Sequence, residues 1–367
     1  MSQITRKITR RTMLAGAGAF AAPLVRRAHA AVDERAIADM LVLGFHGASA
    51  DAAGARNLAR HISAGRVGGV CFLGHNTRSR EGIEGLTRLF HNAARRDVPL
   101  VCVDQEGGAV QRLGKRSGYA PFPAAKAVAD GGDPAGARTI YERMARQVRA
   151  AGFNVNLAPV VDLGFQPRNP VVSRWGRAFG DNGAEVARYA GAFVAAHRAA
   201  GVLTTLKHFP GHGSTLVDSH DKPVDITPTW REDELVPFRV LARRGLIDIV
   251  MTGHLSHARV TGGIPATLSP KAVAFLRRDI GFDGALMTDD LDMKAIRSSY
   301  PLMDATLRSI ASGHDLILLS KSLQPDMELP QRIVAAVKDA VARGRIPAAH
   351  IERAARRIAA LRAKLPA

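Results

Sequence analysis

Residues 201–220 read GVLTTLKHFPGHGSTLVDSH. After the opening glycine the first residues are apolar or β-branched, which predicts a strand over Gly201–Leu206. The run does not alternate in polarity, so the strand is expected to be buried on both faces, as in a parallel sheet covered by helices. It ends at Lys207-His208 and passes into a Gly/Pro-rich loop holding His212, Asp218 and His220. Loops positioned by a rigid scaffold are where catalytic residues concentrate.

The same pattern occurs seven more times. Apolar runs of similar length lie at Leu41–Phe45, Gly69–Leu73, Leu100–Val103, Val155–Val161, Ile247–Thr252, Ala285–Thr288 and Leu316–Leu319. Amphipathic stretches separate them, among them Ala135–Ala151, Gly183–Ala200 and Pro270–Ile280. Eight strand–helix repeats predict a single (β/α)8 TIM-type barrel. Two more helical patterns, Pro330–Arg343 and Ala348–Lys364, follow the last strand and are expected to pack against the barrel wall. No linker or internal repeat divides residues 31–367, which read as one domain.

Polar residues gather where these strands end. Asp104-Gln105-Glu106 follows the third, Asp162 closes the fourth, Lys207-His208 the fifth, His254 follows the sixth, and Asp289-Asp290 closes the seventh. The C-terminal strand ends of such a barrel form its active face. Any one of these groups could simply cap the next helix; five at matching ends predict a site.

Residues 1–30 read as a leader. Thr9-Arg10-Arg11-Thr12-Met13-Leu14 carries a twin arginine, a short apolar run follows, and Ala28-His29-Ala30 is a small-residue cleavage pattern. Arg26 and Arg27 disfavour the general secretory route, so the reading is a Tat-type signal peptide and an exported chain, periplasmic or secreted. The apolar run is too short to span a bilayer, and no stable membrane insertion is expected. Removing the six basic residues of this leader takes the formal charge from +18 to +12. A basic surface favours anionic polymers. With aromatics at only 5%, and no stacking motif between the scattered arginines, nucleic acid is not expected as a partner. Cys71 and Cys102 lie in strand runs and read as buried thiols.

Asp289 leaves an apolar strand, which holds a carboxylate in place and partly shields it, as a nucleophile toward carbon requires. Asp290 is expected to cap a helix beginning near Leu291. Asp218 and His220 stand two residues apart, so on an extended loop their side chains share a side. The carboxylate can then orient the imidazole as a general acid/base near neutral pH. A carboxylate nucleophile with a separate acid/base is the outline of retaining glycoside hydrolysis, in which Asp104 and Glu106 could hold sugar hydroxyls. The competing chemistry is zinc on His208 and His212 with His220 or Asp218. Pro210, Gly211 and Gly213 argue against the helix that spacing needs, so no metal is assigned.

Together these residues resemble glycoside hydrolase family 3, in particular its β-N-acetylhexosaminidase branch. The matching segments are VDQEGGAVQRL, NLAPVVDLG, NPVVSRWGRAFG, TLKHFPGHGSTLVDSH, VMTGHLSH, PATLSP and GFDGALMTDDLDMKAI. The resemblance implies Asp289 as nucleophile and His220 as acid/base oriented by Asp218. It implies sugar binding by Asp104, Arg112, Arg177, Lys207 and His208, and no metal or organic cofactor. The expected substrate is a cell-wall or chitin-type glycan with terminal β-linked N-acetylglucosamine, cleaved by a monomer. Many members carry a second α/β domain; this chain is short for one, which places the acid/base on a barrel loop. Ala109 stands where relatives often have Arg, and Asp221-Lys222-Pro223 departs from familiar hexosaminidases. A β-glucosidase, a β-N-acetylglucosaminide phosphorylase and a non-catalytic wall-binding barrel are the alternatives.

Overall fold

The computed structural model describes residues 32–218, 222–321 and 326–366. The leader assigned to residues 1–30 and the acid/base candidate His220 lie outside the described residues.

All eight expected strands form, as β1 (Leu41–Leu43), β2 (Gly69–Phe72), β3 (Leu100–Val103), β4 (Val155–Asn156), β5 (Leu203–Phe209), β6 (Ile249–Thr252), β7 (Ala285–Thr288) and β8 (Ile317–Leu319). They hydrogen-bond in the order β7-β6-β5-β4-β3-β2-β1-β8, each neighbouring pair parallel. A parallel bridge between Met287 and Leu316 joins β7 to β8 and closes the ring. The sheet is therefore a barrel, with twelve α-helices among the described residues.

The helices are α1 (Glu34–Asp39), α2 (Ala53–Ser63), α3 (Arg80–Ala93), α4 (Ala125–Asp130), α5 (Pro134–Ala150), α6 (Gly183–Ala199), α7 (Val236–Arg243), α8 (Pro270–Phe275), α9 (Lys294–Arg297), α10 (Leu302–Ser312), α11 (Leu329–Ala342) and α12 (Ala348–Arg362). Several start where a side-chain oxygen takes up orphan backbone N–H groups. Ser79 caps α3, Asp133 caps α5 ahead of a first-turn proline, and Asn182 caps α6. As expected, two helices follow β8. Both pack against α1, and α12 also meets β7.

The apolar strand runs are buried at every position of β1, β2, β3, β6, β7 and β8. Phe45, Phe72, Phe90 and Phe153 meet edge to face between the sheet and its helices, with centroids 4.8–5.9 Å apart. Cys71 and Cys102 are buried thiols in register on β2 and β3.

Two strands depart from expectation. β4 is cut to two residues, with only an isolated bridge at Val160 to Lys207. β5 runs past Leu206 to Phe209, so Lys207 and His208 belong to the strand rather than to the loop after it. Its register with β6 shifts between Leu206 and Phe209. Cis peptides occur at Ala158–Pro159, Lys207–His208 and Phe209–Pro210.

Candidate active site

A cavity of about 520 Å³ opens at the C-terminal ends of the strands. Asp104, Arg112, Arg177, Lys207, His208, Asp218 and Asp289 all line it. Every site residue expected from the sequence and described in the structure thus reaches one cavity. They come from the loops after β3, β4 and β7, from β5, and from the loop after β5.

The floor is an ion-pair network. Glu106 receives two hydrogen bonds from Arg177, Nε to Oε2 and Nη2 to Oε1, each 2.8 Å. Lys207 Nζ sits 2.8 Å from Glu106 Oε1 and 2.9 Å from Asp104 Oδ1. Arg112 Nη2 lies 3.4 Å from the other Asp104 oxygen. Burial works to raise both carboxyls, but the neighbouring cations outweigh it. Lys207 and Arg112 hold Asp104 below the ordinary carboxylate range, and Arg177 and Lys207 hold Glu106 below it as well. Burial likewise opposes the charge on Lys207, and Asp104 and Glu106 reverse it, so the lysine stays an ammonium. This is a charged array with fixed geometry, suited to sorting hydroxyl positions on a sugar. Among the described residues Arg112 Nε is buried with no hydrogen-bond partner.

Glu106 also lines the cavity, and like Asp104 it has both oxygens engaged by the cations around it, so each carboxylate orders donors that face the cavity.

His208 is held from behind. Its Nδ1 meets Asp162 Oδ2 at 2.7 Å, and Asp162 Oδ1 accepts the backbone N–H of His208 at 3.0 Å and of His212 at 2.9 Å. Asp162 is fully buried; burial raises its carboxyl, and His208 more than offsets this. The carboxylate sets the histidine's orientation while the other ring edge is left to the cavity.

The loop after β5 is clamped at its root. Glu234 accepts from the backbone N–H of Leu163 and Ser214, each at 3.1 Å. Asn169 donates to the carbonyls of His212 and Gly213 and accepts from Val171 and Val172. Leu216 and Val217, farther along, are exposed. Neither Glu234 nor Asn169 was marked by the sequence. Nothing local distinguishes a glutamate in the turn ahead of α7 from a solvated one.

Asp289 stands at the end of β7 with its backbone N–H on Thr252 O (3.0 Å) and its Oδ1 accepting from Asp290 N–H (2.8 Å). Asp290 does not cap a helix at Leu291. The next helix is α9, with Met293 at its N-cap, and the Asp290 carboxylate binds Ser320 past the end of β8 through both its backbone N–H and its hydroxyl. Burial, then Asp292, pushes Asp290 up to about 6. His254 lies behind the site, fully buried, with Nε2 on Asp290 O and Nδ1 on Thr267 Oγ1.

The zinc alternative named His208 and His212 with His220 or Asp218, and His220 lies outside the described residues. His208 and His212 lie on a strand and the turn after it, and the Nδ1 of each is engaged, by Asp162 and by Thr215 Oγ1. Among the described residues no group of three or more His, Cys, Asp or Glu side chains is placed to hold a metal ion. No helix among them is long and apolar enough to cross a membrane.

Comparison with known proteins places this geometry. The family model described as the glycosyl hydrolase family 3 N terminal domain matches residues 33–361. The β-hexosaminidase LpqI of Mycobacterium tuberculosis is 36% identical over 278 residues, 73% of this chain and 69% of LpqI. A family 3 β-N-acetylglucosaminidase structure from Paenibacillus superposes with a TM-score of 0.79 at 32% identity, covering 90% of this chain and 62% of that one. A β-N-acetylhexosaminidase structure from Beutenbergia cavernae gives 0.80 at 28% identity, covering 90% and 98%. The chain thus spans about three fifths of the Paenibacillus enzyme and nearly the whole of the Beutenbergia one.

Proposed function

This chain belongs to glycosyl hydrolase family 3 and is a glycoside hydrolase, and from that premise we propose that it removes terminal β-linked N-acetylglucosamine from peptidoglycan- or chitin-type saccharides. The observation that carries the reading is Asp289. Its carboxylate is anchored at the end of β7 and opens into the cavity whose wall is the Asp104–Lys207–Arg177–His208 array. The printed names of the relatives, β-hexosaminidase and β-N-acetylglucosaminidase, favour the N-acetyl sugar.

The reaction runs in two displacements. Asp289 attacks the anomeric carbon as its bond to the leaving oxygen breaks, and His220, oriented by Asp218, gives that oxygen a proton. Water then attacks the anomeric carbon of the glycosyl–Asp289 ester as its bond to the Asp289 oxygen breaks, His220 takes the water's proton, and the sugar leaves with retained configuration. Asp104, Arg112, Arg177, Lys207 and His208 bind the sugar hydroxyls and amide, and the ion pairs and hydrogen bonds among them and to Glu106 and Asp162 fix their geometry, so little reorganisation is needed at the transition state. The leader over residues 1–30 would export the enzyme to where intact wall glycan lies.

The test is turnover of paired aryl β-N-acetylglucosaminide and β-glucoside by wild type and Asp289→Ala. Strong preference for the N-acetyl sugar, lost in the variant, supports the reading. Preference for the glucoside keeps the mechanism and moves the substrate. A phosphate-dependent product identifies a phosphorylase. No turnover of either by wild type overturns the enzymatic reading in favour of a binding barrel.

A further inference from the structure

Trp175 is one of only two tryptophans in the chain, yet it is 49% exposed and lines the same cavity as Asp289 and Asp218. A single exposed indole needs no explanation in itself, but this one faces the cavity that holds the chemistry. Its ring is not free to tumble. The indole N–H donates to Pro170 O at 2.9 Å, and Arg174 lies 5.3 Å from the ring centroid. The polar edge is thereby satisfied and the apolar body is presented.

The turn that carries it is rigid and continuous with the sugar-binding array. Asn169 Oδ1 accepts from Val171 and Val172, Trp175 N–H donates to Val172 O, and Arg177 N–H donates to the same carbonyl. Arg177 Nη1 folds back onto Val171 O, while its other two donors hold Glu106. Pro170 and Val171 also line the cavity. One short turn therefore sets the aromatic ring relative to the guanidinium at the floor.

We propose that Trp175 is the stacking platform for the sugar on the leaving-group side of the cleaved bond, so that the enzyme selects oligosaccharides over glycosides with a small leaving group. The inference rests on the glycosidase reading given above. The charged donors of the floor suit hydroxyl and amide recognition of the sugar being removed. A flat apolar face beside them suits the C–H face of the next pyranose, which offers few directional groups once its hydroxyls point to water. No bond chemistry is added; the platform contributes binding to the leaving group.

The experiment compares di-N-acetylchitobiose with β-N-acetylglucosaminyl azide, whose leaving group is too small to reach a second sugar site. For Trp175→Ala, the ratio of kcat/KM on chitobiose to kcat/KM on azide should fall about tenfold, chiefly through KM on chitobiose. Trp175→Phe should restore most of that ratio, because a face and not the N–H is needed. In the Asp289→Ala protein, chitobiose should quench tryptophan emission, and Trp175→Phe should remove most of the quench. Equal losses on both substrates would overturn the proposal, leaving Trp175 as support for the Arg177 turn alone. An unchanged ratio would overturn it as well. Wild type that turns over neither substrate would defeat the glycosidase reading first, and this inference with it.

Discussion

Glu106 and Arg177, 71 residues apart in the chain, meet in a two-pronged ion pair with both N–O distances at 2.8 Å. Lys207 adds a third contact to the same carboxylate, so one buried anion orders two cations that face the cavity. Removing the charge takes the carboxylate from Arg177 and leaves Lys207 with Asp104 alone. Glu106→Gln is expected to cost about 3–5 kcal/mol of stability, the range for breaking a buried pair. Urea unfolding of the two proteins checks this. A shift below about 1 kcal/mol would mean that water already screens the pair.

Gly213 is tied to the backbone of the loop after β4. A Cβ built there would lie 1.8 Å from Leu163 O, and neither side can yield without moving main chain. Gly213→Ala should therefore destabilise the fold by about 3 kcal/mol or more and displace the segment that carries Asp218. Gly74→Ala, where nothing lies within 4 Å, is the control and should change stability by less than about 0.5 kcal/mol. Thermal melts of both variants decide it.

His220→Ala should slow substrates with poor leaving groups by about 10²- to 10⁴-fold, the usual share of a general acid. Dinitrophenyl glycosides, whose leaving group needs no proton, should lose far less in the glycosylation step. Pre-steady-state bursts on the two substrate types separate that step from hydrolysis of the ester. Equal losses would count against the acid role.

Asp162 accepts from His208 Nδ1 and from two backbone N–H groups. Asn in its place would turn an N–H toward that ring nitrogen and favour the other tautomer, altering what His208 offers the cavity. Asp162→Asn is expected to raise KM about tenfold with a smaller change in kcat, as for lost uniform binding. Steady-state kinetics on an aryl N-acetylglucosaminide is the check. An unchanged KM would remove His208 from sugar binding.

His197 shows the pH dependence most cleanly. Its Nδ1–H donates to Phe193 O and its Nε2 accepts from Asn156, so the folded ring is satisfied only when neutral. Burial pushes it down to about 4. Its folded pKa lies below the unfolded value of about 6.5, so its contribution is present above pH 6.5 and is lost as pH falls toward 4. Burial raises Asp290 and Glu234 and makes them act in the opposite sense, so the informative quantity is a difference. The stability of wild type relative to His197→Gln should fall by about 3 kcal/mol between pH 7 and pH 4. A flat difference would show the ring to be charged or hydrated in the fold.

Much of the architecture is written locally. Each barrel strand is its own apolar run, buried whatever its neighbour, so eight such runs separated by helical patterns were sufficient to predict the barrel. Polar residues at the ends of those runs were sufficient to predict which face holds the cavity, and the motif resemblance added roles for Asp289, Asp218 and their companions. Strand limits were less legible. Lys207 and His208 are polar, and only pairing with the neighbouring strands makes them part of β5.

What the sequence by itself determined is the set of elements and the residues delivered to one rim, because burial of apolar runs and the capping of helices act over a few residues. Only the tertiary structure decided who serves whom. Glu106 orders Arg177 and Lys207, Asp162 stands behind His208, Glu234 roots the loop after β5, and Asp290 ties β7 to Ser320 instead of capping a helix. These pairings join different βα units and depend on strand register and on closure of the ring. A carboxylate in a sequence carries the same charge whatever its role, and only the fold decides which partners its oxygens meet.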